Sequence, residues 1–334
     1  MSPSRFEGRH EAVLATPTTA LAPDQRPVQG PIAILPISRP RFEKAVTDAG
    51  GTVAPLDDDT RGVIWLDNDG ASDLAEVLRT HPDISWVQLP WAGVEGFADV
   101  VRGHARPGLI VTSAKGAYAQ PVAEHILTLT LALLRELPTR IRARSWGDKA
   151  GSSLYGLEIV VVGAGGIARE FLRLAEPFGV TSTVVRRSSE AVPGADRTVT
   201  VDRLREVLPT ADVVVVAAAL TGDTTRLFSQ TEFELMKPSA HIVNIARGGL
   251  IDTTALVEAL ESGGIAGAGL DVTDPEPLAD GHPLWSTPNT IITPHTADTP
   301  EMTGPLLAAR IRQNVSAFRE TGEFVGVVDP EAGY

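Results

Sequence analysis

The stretch Ile159–Ala168, IVVVGAGGIA, decides the fold of this chain. A run of β-branched residues breaks into Gly163-Ala164-Gly165-Gly166-Ile167-Ala168, and an apolar-periodic helix follows. This is the G-x-G-x-x-A turn of a dinucleotide-binding βαβ unit. Gly163 lets the strand turn sharply, and Gly165 leaves room for a pyrophosphate to approach backbone. Ala168 keeps the helix close to the sheet, and the helix start at Gly166 and Ile167 offers unpaired N–H groups to the anion. The next strand, TSTVVRRSS, should end in an acid if it grips an adenosine ribose, but Arg186 and Arg187 stand there. Two cations suit a 2′-phosphate, so NADP(H) is the expected cofactor and NAD the alternative.

Outward from that turn, 334 residues are long for one domain and comfortable for two. Hydrophobic content of 43% and charged content of 21% are those of an ordinary globular protein. The net charge of −13 argues against nucleic acid or an anionic membrane as partner. An anionic substrate must therefore be drawn in by local arginines. With no cysteine, disulfides, thiolate catalysis and cysteine-ligated metals are excluded. The seven histidines are scattered, so no metal site is expected. No run reaches the ~20 apolar residues of a membrane span. The N-terminal AVLATPTTALA is broken by Pro17 and threonines, so no secretory core is read and a cytoplasmic location is expected.

Residues 1–30 are rich in Pro, Thr, Ala and Gly and read as an extension that packs on other structure, a partner subunit being one candidate. From Pro31 to about Thr112, PIAILPIS, GVIWL, WVQLP and LIVTS alternate with amphipathic segments, which implies a parallel α/β unit. A long apolar helix, Val122–Leu137, and the polar link RARSWGDKAGSSLYG follow. A second series runs LEIVVVG, TSTVVR, DVVVVAA, HIVNIA, IAGAGLDV and TIITPH, with TTALVEALESG as a helix stopped by Gly263-Gly264. Pro305–Thr321 forms a closing helix with Leu307, Ile311, Val315 and Phe318 on one stripe. The expected fold is α/β, with two doubly wound parallel-sheet domains. A Rossmann cofactor domain over 118–298, carrying the long helix, is inserted into a flavodoxin-like substrate domain made of 31–117 and 299–334. The active site would lie in the cleft between them.

Three segments carry polar residues the fold does not need: Arg247 in NIARGGLID, Glu276 in DVTDPEPL and His295 in TIITPHTAD. Each follows a predicted strand, at the end where open α/β sheets gather ligands. Reduction of a 2-keto acid needs a reductant, an acid for the carbonyl oxygen and a cation for the carboxylate. Arg247 offers a planar bidentate fork. His295 titrates in the useful range and can give or take the proton. Glu276, if hydrogen-bonded to His295, would fix its tautomer and stabilise its protonated form.

VVGAGGIA, NIARGGLID, AGLDVTDPEPL and HPLW-TPNTIITPHTA stand in the order and spacing of a known family, over about Pro31 to the C-terminus. The set resembles the D-isomer-specific 2-hydroxyacid dehydrogenases, which include glyoxylate/hydroxypyruvate reductases and phosphoglycerate dehydrogenases. The resemblance implies that Arg247 orients substrate, that Glu276 pairs with the acid/base, and that His295 is that acid/base. It implies nicotinamide-carboxamide binding by Asp271 and a cofactor wall of Ala246, Ala219, Leu220 and Thr224. Substrate-carboxylate binding by backbone N–H groups near Ala92, Gly93 and Val94 and a homodimer joined through the long helix are implied too. Gly166 departs from the family's long polar side chain, Ala219 and Gly222 from prolines, and Arg186 from the acid of NAD-preferring relatives. Lys115, Tyr118 and Trp285 are further candidates for the substrate pocket. The expected activity is NADP(H)-linked interconversion of a small 2-keto acid and D-2-hydroxy acid, glyoxylate or hydroxypyruvate reduction first. The alternative is a non-catalytic, corepressor-like dinucleotide sensor.

Overall fold

A computed structural model describes residues 18–330 of the chain. They divide into two compact units, one running to Tyr118 and resuming at Thr299, the other being Ala119–Asp298. The chain builds most of one sheet, leaves it for a second, and returns.

The first unit carries β1 (Thr18–Ala20), β2 (Ile32–Leu35), β3 (Gly62–Trp65), β4 (Trp86–Gln88) and β5 (Ile110–Thr112). Strands β2 to β5 lie side by side and parallel, and Val53 adds one parallel bridge outside Ile32. The second segment in sequence therefore sits outside the first, which is the flavodoxin-like order. Trp86 is buried, stacks on Phe318 at 5.2 Å and donates its indole N–H to the Thr112 hydroxyl at 3.0 Å.

The second unit carries β6 (Glu158–Val162), β7 (Thr181–Arg186), β8 (Arg197–Thr200), β9 (Val213–Val216), β10 (His241–Asn244), β11 (Gly267–Leu270) and β12 (Thr290–Ile292). The sheet order is β12-β11-β10-β9-β6-β7-β8, and every pairing is parallel. Chain order reverses between β6 and β9, the switch point at which doubly wound sheets bind ligands. Val213–Val216 is buried at all four positions, as expected of a central strand covered on both faces. The Ala119–Leu134 helix packs on this sheet and on the Gly166–Ala175 helix, burying Val122, Ile126, Leu129 and Leu133. No helix among the described residues is long and apolar enough to cross a membrane.

Four sequence expectations need correction. Residues 1–17 of the extension lie outside the described residues, but Thr18–Ala20 is an edge strand. It pairs antiparallel with β13 (Glu323–Val325), Thr18 opposite Val325, so this part belongs to the first unit. The long helix ends at Leu134 rather than Leu137. Glu136 takes a left-handed φ of 50°, and a separate short helix, Leu137–Arg142, starts there. The closing helix begins at Pro300, not Pro305, because a proline at the first helical position needs no N–H partner. Its stripe of Leu307, Ile311, Val315 and Phe318 is buried, yet so are Arg310 and Asn314, which makes it buried on more than one side. Asn314 is held there by Gln88 Oε1 at 2.7 Å and by both backbone groups of Val325 at 2.9 Å. Finally β8, a four-residue edge strand of alternating threonines, carries too little apolar signal to be read as a strand.

Candidate active site

The glycine turn opens directly from β6. Gly163 has φ 117°, and a Cβ there would lie 2.4 Å from the Ala217 carbonyl oxygen, so only glycine fits. At Gly165 an added Cβ meets no atom within 4 Å. Gly165 caps the Gly166–Ala175 helix without any side-chain hydrogen bond. The first-turn N–H groups, from Gly166 and Ile167 onward, have no intrahelical acceptor. Open backbone and unspent donors are what a pyrophosphate requires, so these residues fit a dinucleotide. Arg186 closes β7 and Arg187 follows it. The Arg186 guanidinium lies 3.7 Å from the Glu190 carboxylate, which is 79% exposed.

The 219–228 loop is closed by Thr224, whose hydroxyl donates to the Ala219 carbonyl at 2.8 Å and accepts from the Thr221 N–H at 2.7 Å. Leu220 rests against Gly249. Thr224 thus shapes the loop on which Ala219 and Leu220 are carried.

Arg247, Glu276 and His295 come from three neighbouring strand ends. Asn244, Leu270 and Ile292 close β10, β11 and β12, which are adjacent in the sheet. After β10 the buried Asn244 clamps the turn. Its Oδ1 accepts the Ala246 N–H at 3.0 Å, and its Nδ2 donates to the Arg247 carbonyl at 2.9 Å. The Arg247 guanidinium donates to the Ala246 carbonyl at 2.7 Å. Gly248 packs so tightly on the 273–274 backbone that a Cβ would sit 1.9 Å from the Thr273 carbonyl oxygen. This contact sets the Arg247 turn against the loop carrying Glu276.

His295 has a left-handed φ of 52°, rare for a non-glycine residue. Its N–H is held by the carbonyls of Asp271 at 2.8 Å and Thr293 at 2.9 Å. His295 Nδ1 donates to Glu276 Oε1 at 2.7 Å. An ionised carboxylate only accepts, so Nδ1 carries the hydrogen and Nε2 is left for proton transfer. The pair is half-exposed, 49% at His295 and 42% at Glu276.

Asp271 is buried behind this loop. Its Oδ1 accepts the Thr293 hydroxyl at 2.6 Å and the Thr296 N–H at 2.9 Å, and its Oδ2 accepts the Ala297 N–H at 3.0 Å. Burial opposes its charge, but hydrogen bonds from His125, Thr293, Thr296 and Ala297 outweigh it and hold the carboxyl below the usual range. Most of its capacity goes to shaping the His295 loop, a use the sequence does not suggest. Sequence reasoning also passes over Asp298. Burial pushes its carboxyl up to about 6, with the charge of Asp271 adding and those of His295 and Arg247 opposing. Their pull places Asp298 in the electrostatic reach of both candidate catalytic cations. A lone acid three residues beyond a histidine gives no periodic or motif signal by which to find it.

In the first unit, Ala92 and Gly93 are half-buried and Val94 buried, in the turn after β4. Among the described residues none of their three N–H groups donates to another group. Tyr118 is buried, and its hydroxyl donates to the Pro90 carbonyl at 2.6 Å, beside that turn. Lys115 is exposed, and its carbonyl accepts from the buried Arg310 at 3.0 Å. Trp285, in the second unit, is 46% exposed and donates to the Ala279 carbonyl at 3.0 Å.

The family model for the NAD binding domain of D-isomer specific 2-hydroxyacid dehydrogenases matches residues 127–297. An uncharacterized protein from the proB 3′ region of Corynebacterium melassecola is 39% identical over 258 residues, covering 75% of this chain and 84% of that one. The glyoxylate reductase/hydroxypyruvate reductase of Mus musculus is 33% identical over 270 residues, covering 78% of each. A crystal structure of a D-isomer specific 2-hydroxyacid dehydrogenase from Xanthobacter autotrophicus Py2, in complex with NADPH and MES, superposes with a TM-score of 0.76 at 25% identity. It covers 92% of this chain and 100% of that one. The fold and the glycine turn already call for a dinucleotide, and with these matches the conclusion is plain: the chain belongs to the D-isomer specific 2-hydroxyacid dehydrogenase family and is an NAD(P)-dependent oxidoreductase.

Proposed function

We propose that this chain is an NADPH-preferring reductase of small 2-keto acids, with glyoxylate or hydroxypyruvate as substrate. The observation that carries the reading is the 2.7 Å hydrogen bond between His295, beyond β12, and Glu276, beyond β11, the strand next to Arg247's β10. The reduced nicotinamide supplies the reducing equivalent. His295 Nε2 donates the proton that the keto oxygen gains, and Glu276 holds the ring in the tautomer that leaves Nε2 outward and stabilises the imidazolium form. Arg247 binds the substrate carboxylate through its planar fork. Within the first unit, the N–H groups of Ala92, Gly93 and Val94, which make no hydrogen bond among the described residues, have the chemistry to bind a carboxylate. Asp271 keeps one Oδ2 lone pair for a carboxamide donor, and Ala246, Ala219 and Leu220 form the wall beside it.

Arg186 and Arg187 support the NADPH preference. Glu190, the acid beside Arg186, is exposed and 3.7 Å away, so a 2′-phosphate dianion would outcompete it. The Mus musculus relative supports the substrate class and the Xanthobacter structure the cofactor. A second copy of this chain is the proposed partner. The apolar stripe of the Ala119–Leu134 helix is largely spent within its own unit. The exposed Leu137, Ile141, Trp146 and Trp285 are the better dimer face.

The test is the initial rate of NADPH oxidation with glyoxylate, hydroxypyruvate and pyruvate, each repeated with NADH. Faster turnover with NADPH is expected. Faster turnover with NADH would discard the arginine argument and keep the enzyme. Tight cofactor binding without turnover of any keto acid would favour the sensing protein.

A further inference from the structure

The donor count behind the His295 loop assigns a tautomer to a second histidine. Asp271, held ionised, can only accept. Thr293 has one hydroxyl hydrogen, and it is committed to Asp271 Oδ1 at 2.6 Å. His125 Nε2 lies 3.0 Å from Thr293 Oγ1 and 3.5 Å from Asp271 Oδ1. It therefore faces two acceptors and must carry a hydrogen itself. In a neutral ring that leaves Nδ1 bare, the reverse of His295, whose hydrogen sits on Nδ1 against Glu276.

We propose that His125, as the Nε2–H tautomer, is a positioning residue that locks Thr293 and Asp271, and through them the 293–297 loop that sets His295 against Glu276. The proposal rests on the reading of His295 as the acid/base. His125 stands on the Ala119–Leu134 helix, which packs on β10, β11, β12 and the Gly166–Ala175 helix and so forms a fixed support. Its partners close the loop on both sides of His295. Thr293 precedes the histidine, and its carbonyl accepts the His295 N–H at 2.9 Å. Asp271 holds the N–H groups of Thr296 and Ala297 beyond it. Without the His125 donor, Thr293 Oγ1 loses the bond that ties it to the helix, and the buried Asp271 carboxylate loses one of the bonds that stabilise its charge. The loop then relaxes around a left-handed backbone that has no local preference to hold it. Misplacement of His295 lowers the rate of proton transfer while leaving Arg247 and the carboxylate contact in place.

Two measurements test this, one of which needs no turnover. Long-range proton–nitrogen NMR of the full chain at about pH 8.5, where imidazoles are neutral, reads each ring's tautomer. The His125 signals, assigned by their loss in His125→Gln, should be those of an Nε2–H ring; an Nδ1–H ring overturns the proposal. In kinetics, His125→Leu should lower kcat by about tenfold with the keto-acid KM changed less than about twofold. His125→Gln, whose amide can donate in the place of Nε2, should recover kcat to within about threefold of wild type. Equal kcat in the two variants, or no loss in His125→Leu, would sink the positioning role. Absence of turnover in the wild type would instead strike the acid/base reading, with the NMR still deciding the bond network. If His125→Leu does not fold, the tautomer and the Gln variant still decide it.

Discussion

The contact at Gly248 makes a sharp demand on the candidate site. A Cβ at this position would lie 1.9 Å from the Thr273 carbonyl oxygen, 2.0 Å from its carbon and 2.5 Å from the Asp274 nitrogen. All three are backbone atoms, so no side chain can swing aside. Restoring ordinary contact at 3.4 Å requires the two backbones to part by about 1.5 Å. The Arg247 side of the contact is the stiffer one. Asn244 clamps it at two points, and the N–H of Ile251 is bonded to the Gly248 carbonyl at 3.0 Å. The 273–274 segment must therefore yield, and Glu276 lies two residues further along. A shift of about 1.5 Å stretches the 2.7 Å Glu276–His295 bond beyond the ~3.2 Å at which it still counts as a hydrogen bond. Gly248→Ala is expected to lower kcat/KM for keto-acid reduction by about 10²-fold or more. The overpacking should also cost about 1–3 kcal/mol of stability. NADPH affinity should fall far less than kcat/KM, because the glycine turn follows β6, separated from β10 by β9, and only the nicotinamide end, near Ala246 and Asp271, adjoins the altered contact. Gly249→Ala is the control. Its Cβ meets side chains rather than backbone, Leu220 at 3.2 Å and Asp274 Oδ2 at 3.9 Å, and these can give way. The assay is steady-state NADPH oxidation, with cofactor binding by fluorescence and unfolding in urea. Equal kcat/KM in the two variants would mean that the register of these two loops does not govern the site.

Three further outcomes follow from the same geometry. His295→Ala should lower turnover by about 10²- to 10⁴-fold with NADPH binding intact, and unchanged turnover would remove His295 from the mechanism. His241 is buried, and burial lowers it to about 4 against a small opposing pull from Asp212. Its contribution to stability is full above the unfolded value of 6.5 and is lost as pH falls from there through 4. Urea unfolding between about pH 7.5 and 4.5 should show a loss of about 2–3 kcal/mol that is absent in His241→Gln; an equal loss in both would exclude this residue. Asp298, pushed up to about 6, is neutral below that pH and anionic above it, beside His295 and Arg247. The keto-acid KM should therefore rise as pH passes upward through about 6 in the wild type. In Asp298→Asn it should stay at the low-pH value, and a variant that retains the rise would show that another group causes it.

Much of the site is legible in the amino-acid sequence because its parts are local. A glycine that must turn at φ 117°, a valine run buried on both faces, and polar residues just beyond strand ends all leave marks within a few residues. Parallel strands joined by helical crossovers then bring NIARGG, DPEP and TPH to one edge, since β10, β11 and β12 follow one another in chain and in sheet. Where local signals are weak or misleading, the sequence misleads. Pro305 resembles a helix start although Pro300 is one, and the polar edge strand β8 resembles a loop.

The nucleotide fold, its alternation of parallel strands and helices and the three candidate chemical groups can be read from the chain alone, because periodicity and turn chemistry are short-range. Only the tertiary structure decided how those groups are held. His125 meets Thr293 across 168 positions, Thr18–Ala20 pairs with a strand near the other end of the chain, and Gly248 abuts Thr273. Hydrogen bonds and close contacts between residues so far apart depend on where the folded backbone brings them, and no pattern in the intervening residues encodes that distance.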